Sequence, residues 1–268
     1  MTALARGSAI VTGASSGIGA AAAVMLAREG YHVALVARRG DRLRKLCRQI
    51  EDDGGRATPV LADLAREAER RRAYRTIKKE LPPVEVLISS AGLGWYGHAA
   101  EMSWHTARNL MRVNMEAAAH MTLLCLRDMR RRGRGHIITV GSVSGGIPSQ
   151  GIALYGATKA FLDNFVTALH RESVGTGVCI SILRPGPVLT EFGATARQQP
   201  HGLRVPTERV GVSAQAVADG IRSLLRHPRR VVYIPFWLRA VPWVELSFGW
   251  LIDRIGPLLL RAQAPRRT

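Results

Sequence analysis

"SAIVTGASSGIGAAAAVMLAREG", residues 8–30, decides the fold. It opens on a short apolar run that meets a glycine turn. "AAAVMLAREG" then reads as a helix closing on Gly30. Gly13, Gly17 and Gly19 allow a tight turn and a close backbone approach, with Ser15, Ser16 and Ile18 between them. The helix N-terminus that follows presents free N–H groups to a pyrophosphate. The spacing is G-x-x-x-G-x-G, distinct from the commoner G-x-G-x-x-G. A bare glycine triplet also fits a simple strand–helix turn. Its place directly after the first strand makes it a candidate dinucleotide site.

Working outward, the same alternation recurs. "YHVALVA" is a buried-strand run, and "DRLRKLCRQIEDDGG" is a helix ending in two glycines. "RATPVLADL" is a strand. "REAERRRAYRTIKKEL" is a polar helix stopped by Pro82 and Pro83. "VEVLISSAG" is the next strand, and one long helical region covers roughly 104–131. "HIITVGS", a helix over 154–174, "GVCISILRPG", a helix over 213–227 and "RRVVYIP" complete the series. Continuous apolar strands alternating with helices predict a parallel sheet covered on both faces. Right-handed crossovers make it an α/β doubly wound fold in a single domain. The expected domain runs over 1–235, with an irregular segment at about 190–212 and an apolar, basic extension over 236–268.

The bulk composition sets limits. The 268 residues are 47 % apolar and 22 % charged, ordinary for a globular chain with a substantial core. Cys47, Cys125 and Cys179 are scattered, with no C-x-x-C pair, which fits a reducing, cytoplasmic setting. "MTALARGSAIVTG" has no apolar run of signal-peptide length. The formal charge of +18 raises nucleic acid or anionic membrane as partners. Of the 38 basic residues, however, only Lys45, Lys78, Lys79 and Lys159 are lysines. The arginines are spread along an Ala- and Gly-rich chain, a composition that GC-rich coding also produces. The densest run, "RDMRRRGRGH", ends a helical stretch, where cations favour the dipole. Nucleic acid is not expected as a partner, and no metal site is expected.

The end of the second strand selects the cofactor. A carboxylate there would bind the ribose 2′-OH of NAD. This chain has "LVARRGD", with Ala37 followed by Arg38 and Arg39. An arginine pairs with a 2′-phosphate through its planar fork. NADP(H) is therefore expected over NAD(H).

"TGASSGIG", "ADL", "SSAG", "VN", "GSVSG", "YGATK" and "RPGPVLT" occur in this order. Order and spacing resemble the short-chain dehydrogenase/reductase family, over about residues 7–235. The resemblance implies a Rossmann-type sheet and hydride transfer with NADP (NADPH), as in ketoreductase-like members. It also implies roles. Tyr155 resembles the catalytic acid/base, Lys159 its partner, and Ser142 the substrate-orienting hydroxyl. Asn114 resembles the residue that holds a water-linked proton relay to the lysine. Asp63 and Leu64 resemble adenine contacts, and Thr190 a contact to the nicotinamide carboxamide. Ser90, Ala91 and Gly92, with Pro185, Gly186 and Val188, fall in the cofactor-binding stretches. One departure stands out: Ser90 replaces the family's usual asparagine after strand four. A homodimer or homotetramer is expected.

The residues account for the chemistry. Tyr155 and Lys159 stand four apart, so a helix puts them on one face. A carbonyl reduction needs a proton donor within hydrogen-bond reach. A lysine ammonium one turn away is expected to lower the tyrosine pKa from near about 10. Ser142 ends a strand, from which its hydroxyl can donate to the substrate oxygen; Ser144 is the rival in "GSVSG". Trp95, Tyr96, Ile147 and Ile152 suggest an apolar pocket, hence an acyl, lipid-like or ring ketone or its alcohol. Two other readings stay open: a catalytically silent NADP-binding regulator, and a membrane-surface protein using the fold as scaffold.

"PFWLRAVPWVELSFGWLIDRIGPLLLR", residues 235–261, lies beyond the resemblance. Trp243, Leu246 and Trp250 follow helical spacing, and Arg254, Arg261, Arg266 and Arg267 follow them. The segment is too interrupted by charge to span a bilayer. Tryptophans beside arginines suit a membrane interface. The alternatives are a cover over the substrate pocket and a subunit contact.

Overall fold

The computed structural model describes residues 6–197 and 211–261. Seven parallel strands form one sheet: β1 (Ser8–Thr12), β2 (His32–Ala37), β3 (Arg56–Leu61), β4 (Val84–Ser89), β5 (Gly135–Val140), β6 (Val178–Pro185) and β7 (Val231–Ile234). Their order is β3-β2-β1-β4-β5-β6-β7. The chain builds outward from β1 in one direction and returns beside it in the other. This leaves a switch point between β1 and β4, where Val11 pairs with Leu35 on one side and Ile88 on the other.

Strands buried on both faces read as unbroken apolar runs, and β1 is buried at every residue. Alternate side chains feed two cores. Ala9, Val11, Val86 and Ile88 point to a layer formed by α1 (Gly17–Arg28), α2 (Gly40–Asp52) and α8 (Ala214–Arg226). Ile10, Leu87, Ile137 and Ile180 point to α3 (Glu67–Glu80), α5 (Ala118–Arg132) and α6 (Ala153–Glu172). Each fully buried Val, Leu or Ile contributes roughly 1.5–3 kcal/mol. All carboxyl ends of the strands lie on one rim. The helix-to-strand returns, with glycines at positive φ such as Gly30, Gly54, Gly133 and Gly175, lie on the other.

The long helix expected over 104–131 is interrupted. α4 (Trp104–Met111) runs into a wide π turn at Arg112–Ala117 before α5 begins. The wide turn admits one extra residue and swings Asn114 inward. The expected irregular segment contains a short helix, α7 (Glu191–Arg197); residues 198–210 lie outside the described residues. The tail forms a 3₁₀ turn, Phe236–Ala240, and then α9 (Val241–Arg261). Among the described residues no helix is long and apolar enough to cross a membrane.

Candidate active site

The glycine turn is closed from every side. A Cβ on Gly19 would lie 2.4 Å from the Gly13 carbonyl oxygen. Gly17 adopts φ +55°, and a Cβ there would meet the Thr190 side chain at 3.2 Å. Only glycine keeps this groove open at the N-terminus of α1. The residues therefore fit a pyrophosphate. Thr12, at the end of β1, supports the opposite wall. Its hydroxyl oxygen accepts from the backbone N–H of Ser90 at 3.0 Å and of Ala91 at 3.1 Å. That answers what Ser90 does without the family's asparagine. The strand end is held by Thr12 through the backbone, whatever side chain stands at 90.

α6 delivers Tyr155 and Lys159 to the carboxyl rim, and both are buried. The Lys159 ammonium donates to the Val140 carbonyl at 3.0 Å and lies 5.8 Å from the centre of the Tyr155 ring. Val140 ends β5, the strand that carries Ser142 just beyond it. Ser142 lies close enough to act on the Tyr155 hydroxyl, and its oxygen accepts from the Ser144 N–H at 3.1 Å. Ser144 thus supports Ser142 through its backbone; the hydroxyl that meets Tyr155 is Ser142's. Asn114 clamps the backbone of Leu93, accepting from its N–H at 2.7 Å and donating to its carbonyl at 3.0 Å. It also donates to the Thr158 hydroxyl at 3.1 Å. A Cβ on Gly92 would lie 3.5 Å from Asn114 Oδ1 and 3.9 Å from Lys159 Nζ. Asn114, Gly92 and Lys159 therefore converge.

One expectation is corrected. Tyr155 is not lowered by its lysine. Burial and the neighbouring Tyr96 push its pKa up, against the opposing effect of Ser142. Burial likewise pushes Lys159 down to about 8, against the charge of Asp163. Loss of solvent outweighs the pair, because the ammonium spends its hydrogen bond on Val140 rather than on the phenol.

At the end of β2, Arg39 is the engaged arginine. It donates to Ser15 Oγ and Ser16 Oγ, the latter at 2.7 Å. Arg38 is exposed, and its guanidinium makes no bond among the described residues. Asp63 accepts from the Ala65 N–H at 3.1 Å; Leu64 is buried, its carbonyl accepting from Arg70 at 2.6 Å. The β6–α7 loop is pinned in place. The Gly186 N–H donates to the Ile234 carbonyl at 2.9 Å, and Val188 bridges Val212.

The residues expected to form an apolar pocket divide into two groups. Tyr96 lies close enough to act on the Tyr155 hydroxyl, and Ile147 and Ile152 are half-buried beyond Ser142. Trp95 is buried instead, as packing. Phe192 was not foreseen: its ring lies 5.8 Å from that of Tyr155 and leans on Gly94, where a Cβ would meet it at 2.7 Å. Its only signal in sequence is its place two residues after Thr190. Thr12 likewise acts on backbone, which no motif advertises.

The comparisons agree with this geometry. The chain matches the family described as short chain dehydrogenase over residues 8–201. A short chain dehydrogenase of Pseudocercospora fijiensis is 32 % identical over 228 residues, covering 83 % of this chain and 69 % of that protein. Among solved structures, an actinorhodin polyketide ketoreductase variant with NADPH superposes with a TM-score of 0.79 at 26 % identity, covering 86 % of this chain and 97 % of that one. An alcohol dehydrogenase of the archaeon Thermococcus sibiricus with 5-hydroxy-NADP gives 0.75 at 27 %, over 85 % and 94 %. With a glycine cradle on β1, Tyr155 and Lys159 one turn apart and Ser142 at the facing strand end, this chain belongs to the short-chain dehydrogenase family.

Proposed function

We propose that the protein interconverts a ketone and a secondary alcohol on an apolar acyl, lipid-like or ring substrate. The cofactor is NADP(H), in keeping with Arg39 over Ser15 and Ser16 and with the NADP-bound relatives. The observation that carries the reading is the meeting of Tyr155, Ser142 and Lys159 beside the glycine cradle. The bound cofactor supplies or takes the hydride. In the reducing direction Tyr155, protonated by burial, gives its proton to the carbonyl oxygen. Ser142 donates to the same oxygen as negative charge develops there. Lys159 would hold the cofactor on its ribose side, and its charge favours the phenolate once the proton has left. Phe192, Tyr96 and the Ile147–Ile152 segment supply apolar walls, which favours ketones without many hydroxyls. The test is NADPH consumption across a carbonyl panel, with alcohols and NADP⁺ for the reverse. Turnover should favour bulky apolar ketones; preference for sugars would reject the substrate class, and no turnover on any member would reject the reaction.

The tail supports a further partner. Phe236, Trp237, Trp243, Leu246, Phe248 and Trp250 are all more than half exposed, in a chain of net charge +18. Apolar aromatics beside Arg239 and Arg254 match an anionic lipid surface. The tail is rooted at the site, since Pro242 packs on Gly146 and Leu238 on Gly186. A lipid-dissolved substrate would then reach Ser142 without crossing water. The intact protein should float with anionic vesicles. Ser at Trp243, Leu246 and Trp250 together should abolish this. Protein that stays soluble but loses self-association on these changes would make the tail a subunit contact.

A further inference from the structure

At the adenosine rim of the cradle stands an ion-pair cluster that the reaction does not use. Arg39 precedes α2 and Arg42 stands in its first turn. Both guanidiniums converge on one carboxylate, Glu191. Arg39 Nη1 lies 3.1 Å from it, and Arg42 Nη1 lies 2.8 and 2.7 Å from its two oxygens. Glu191 comes from the far side of the groove. It is the first residue of α7 and follows Thr190, whose side chain faces Gly17. The bridge therefore crosses the mouth of the cradle, from the β6–α7 loop to the β2–α2 turn. Two cations held this close repel unless an anion sits between them. Here that anion belongs to the chain itself. The same forks, with Ser15 and Ser16 hydroxyls beside them, form the donor set that a phosphate monoester wants.

We propose that Glu191 is an internal stand-in for the 2′-phosphate of NADPH: it holds Arg39 and Arg42 together in the empty enzyme and yields them when NADPH enters. NADH carries no such phosphate and leaves the bridge closed. Glu191 is thus a specificity-determining residue acting by competition, and it links the cofactor's phosphate to α7. Its carboxylate is held ionised by hydrogen bonds from Arg42 and Arg39, so the competitor is present throughout the neutral range. Release of Glu191 frees the start of α7, whose Phe192 packs against Tyr155.

The inference rests on the NADP(H) reading, and the two fail differently. Equal NADPH and NADH affinities in the unaltered protein would reject that reading. The stand-in is tested by equilibrium binding of NADPH, NADH and adenosine 2′,5′-bisphosphate to the unaltered protein, Glu191→Gln and Glu191→Ala. NADPH and the bisphosphate should bind about 3- to 10-fold tighter to both variants, the range expected from freeing two exposed ion pairs. NADH should change less than about twofold. Weaker or unchanged NADPH binding would overturn the proposal, since Glu191 would then be an organiser or a bystander. Equal gains for NADH and NADPH would overturn it too. So would a gain for NADPH that the bisphosphate lacks, because the effect would then arise at the nicotinamide end.

Discussion

Tyr155→Phe deletes one oxygen from a buried side chain and leaves the ring packed against Phe192. Turnover should fall by about 10²- to 10⁴-fold, the usual contribution of a positioned proton donor. NADPH affinity, measured by fluorescence titration, should stay within about twofold. Near-full activity would assign the proton to another group. Arg39→Ala removes the fork over Ser15 and Ser16, and NADPH should bind about 10- to 100-fold more weakly while NADH loses far less. Arg38→Ala should matter less, since Arg38 is unengaged; a larger effect from Arg38 would reverse the assignment. At this scale the residues singled out by motif come together: Tyr155 and Lys159 share one face of α6 near Ser142, and Asn114 faces Gly92 beside Lys159. The sequence was illegible where a residue works through backbone or shape. Thr12 looks like any strand-ending threonine until its oxygen is seen between two N–H groups. The expected drop in the Tyr155 pKa failed because spacing conveys proximity but not solvation.

α6 carries a second charged residue one turn past Lys159. Asp163 accepts from Arg184 at 2.8 Å through one oxygen, while its other oxygen is buried without a hydrogen bond. Burial raises its pKa, and Arg184 and Lys159 oppose that rise. The carboxylate in turn favours the charge on Lys159, partly offsetting the burial that brings it down to about 8. Asp163→Asn keeps an acceptor for Arg184 but removes the anion. The alkaline limb of the kcat/KM profile for NADPH, which reports the free enzyme, should move to lower pH. An unmoved limb would detach Asp163 from the site. Element boundaries came through wherever glycine or proline marks them, as at Gly30, Gly54 and Pro82. The interruption at Arg112–Ala117 did not, because a π turn obeys the same apolar periodicity on either side. Its cause lies in Leu93 and Thr158, far along the chain from Asn114.

For the whole molecule, strand order followed from apolar runs alternating with helices, because few topologies satisfy right-handed crossovers. Acid stability did not, because it depends on burial. His136, inside β5, shares a 2.8 Å hydrogen bond with Ser181, and burial pushes its pKa down to about 4. The unfolded chain takes up that proton near about 6.5. Between these values the unfolded state binds more protons, so stability is full above about 6.5 and is lost as pH falls towards 4. From pH 7 to pH 5 the loss should be about 2 kcal/mol. Urea midpoints at the two pH values should converge in His136→Gln relative to the unaltered protein; an identical acid loss in both would clear the histidine. The division of the sheet into two rims has a practical consequence. The turn just before β6 is open, with Val174 77 % exposed. It stands at the amino end of β6, roughly 20 Å of strand away from the chemistry. A fluorophore or surface tether attached there leaves the working rim facing solution, so the enzyme can be immobilised on a sensor by that turn with its catalytic mouth open.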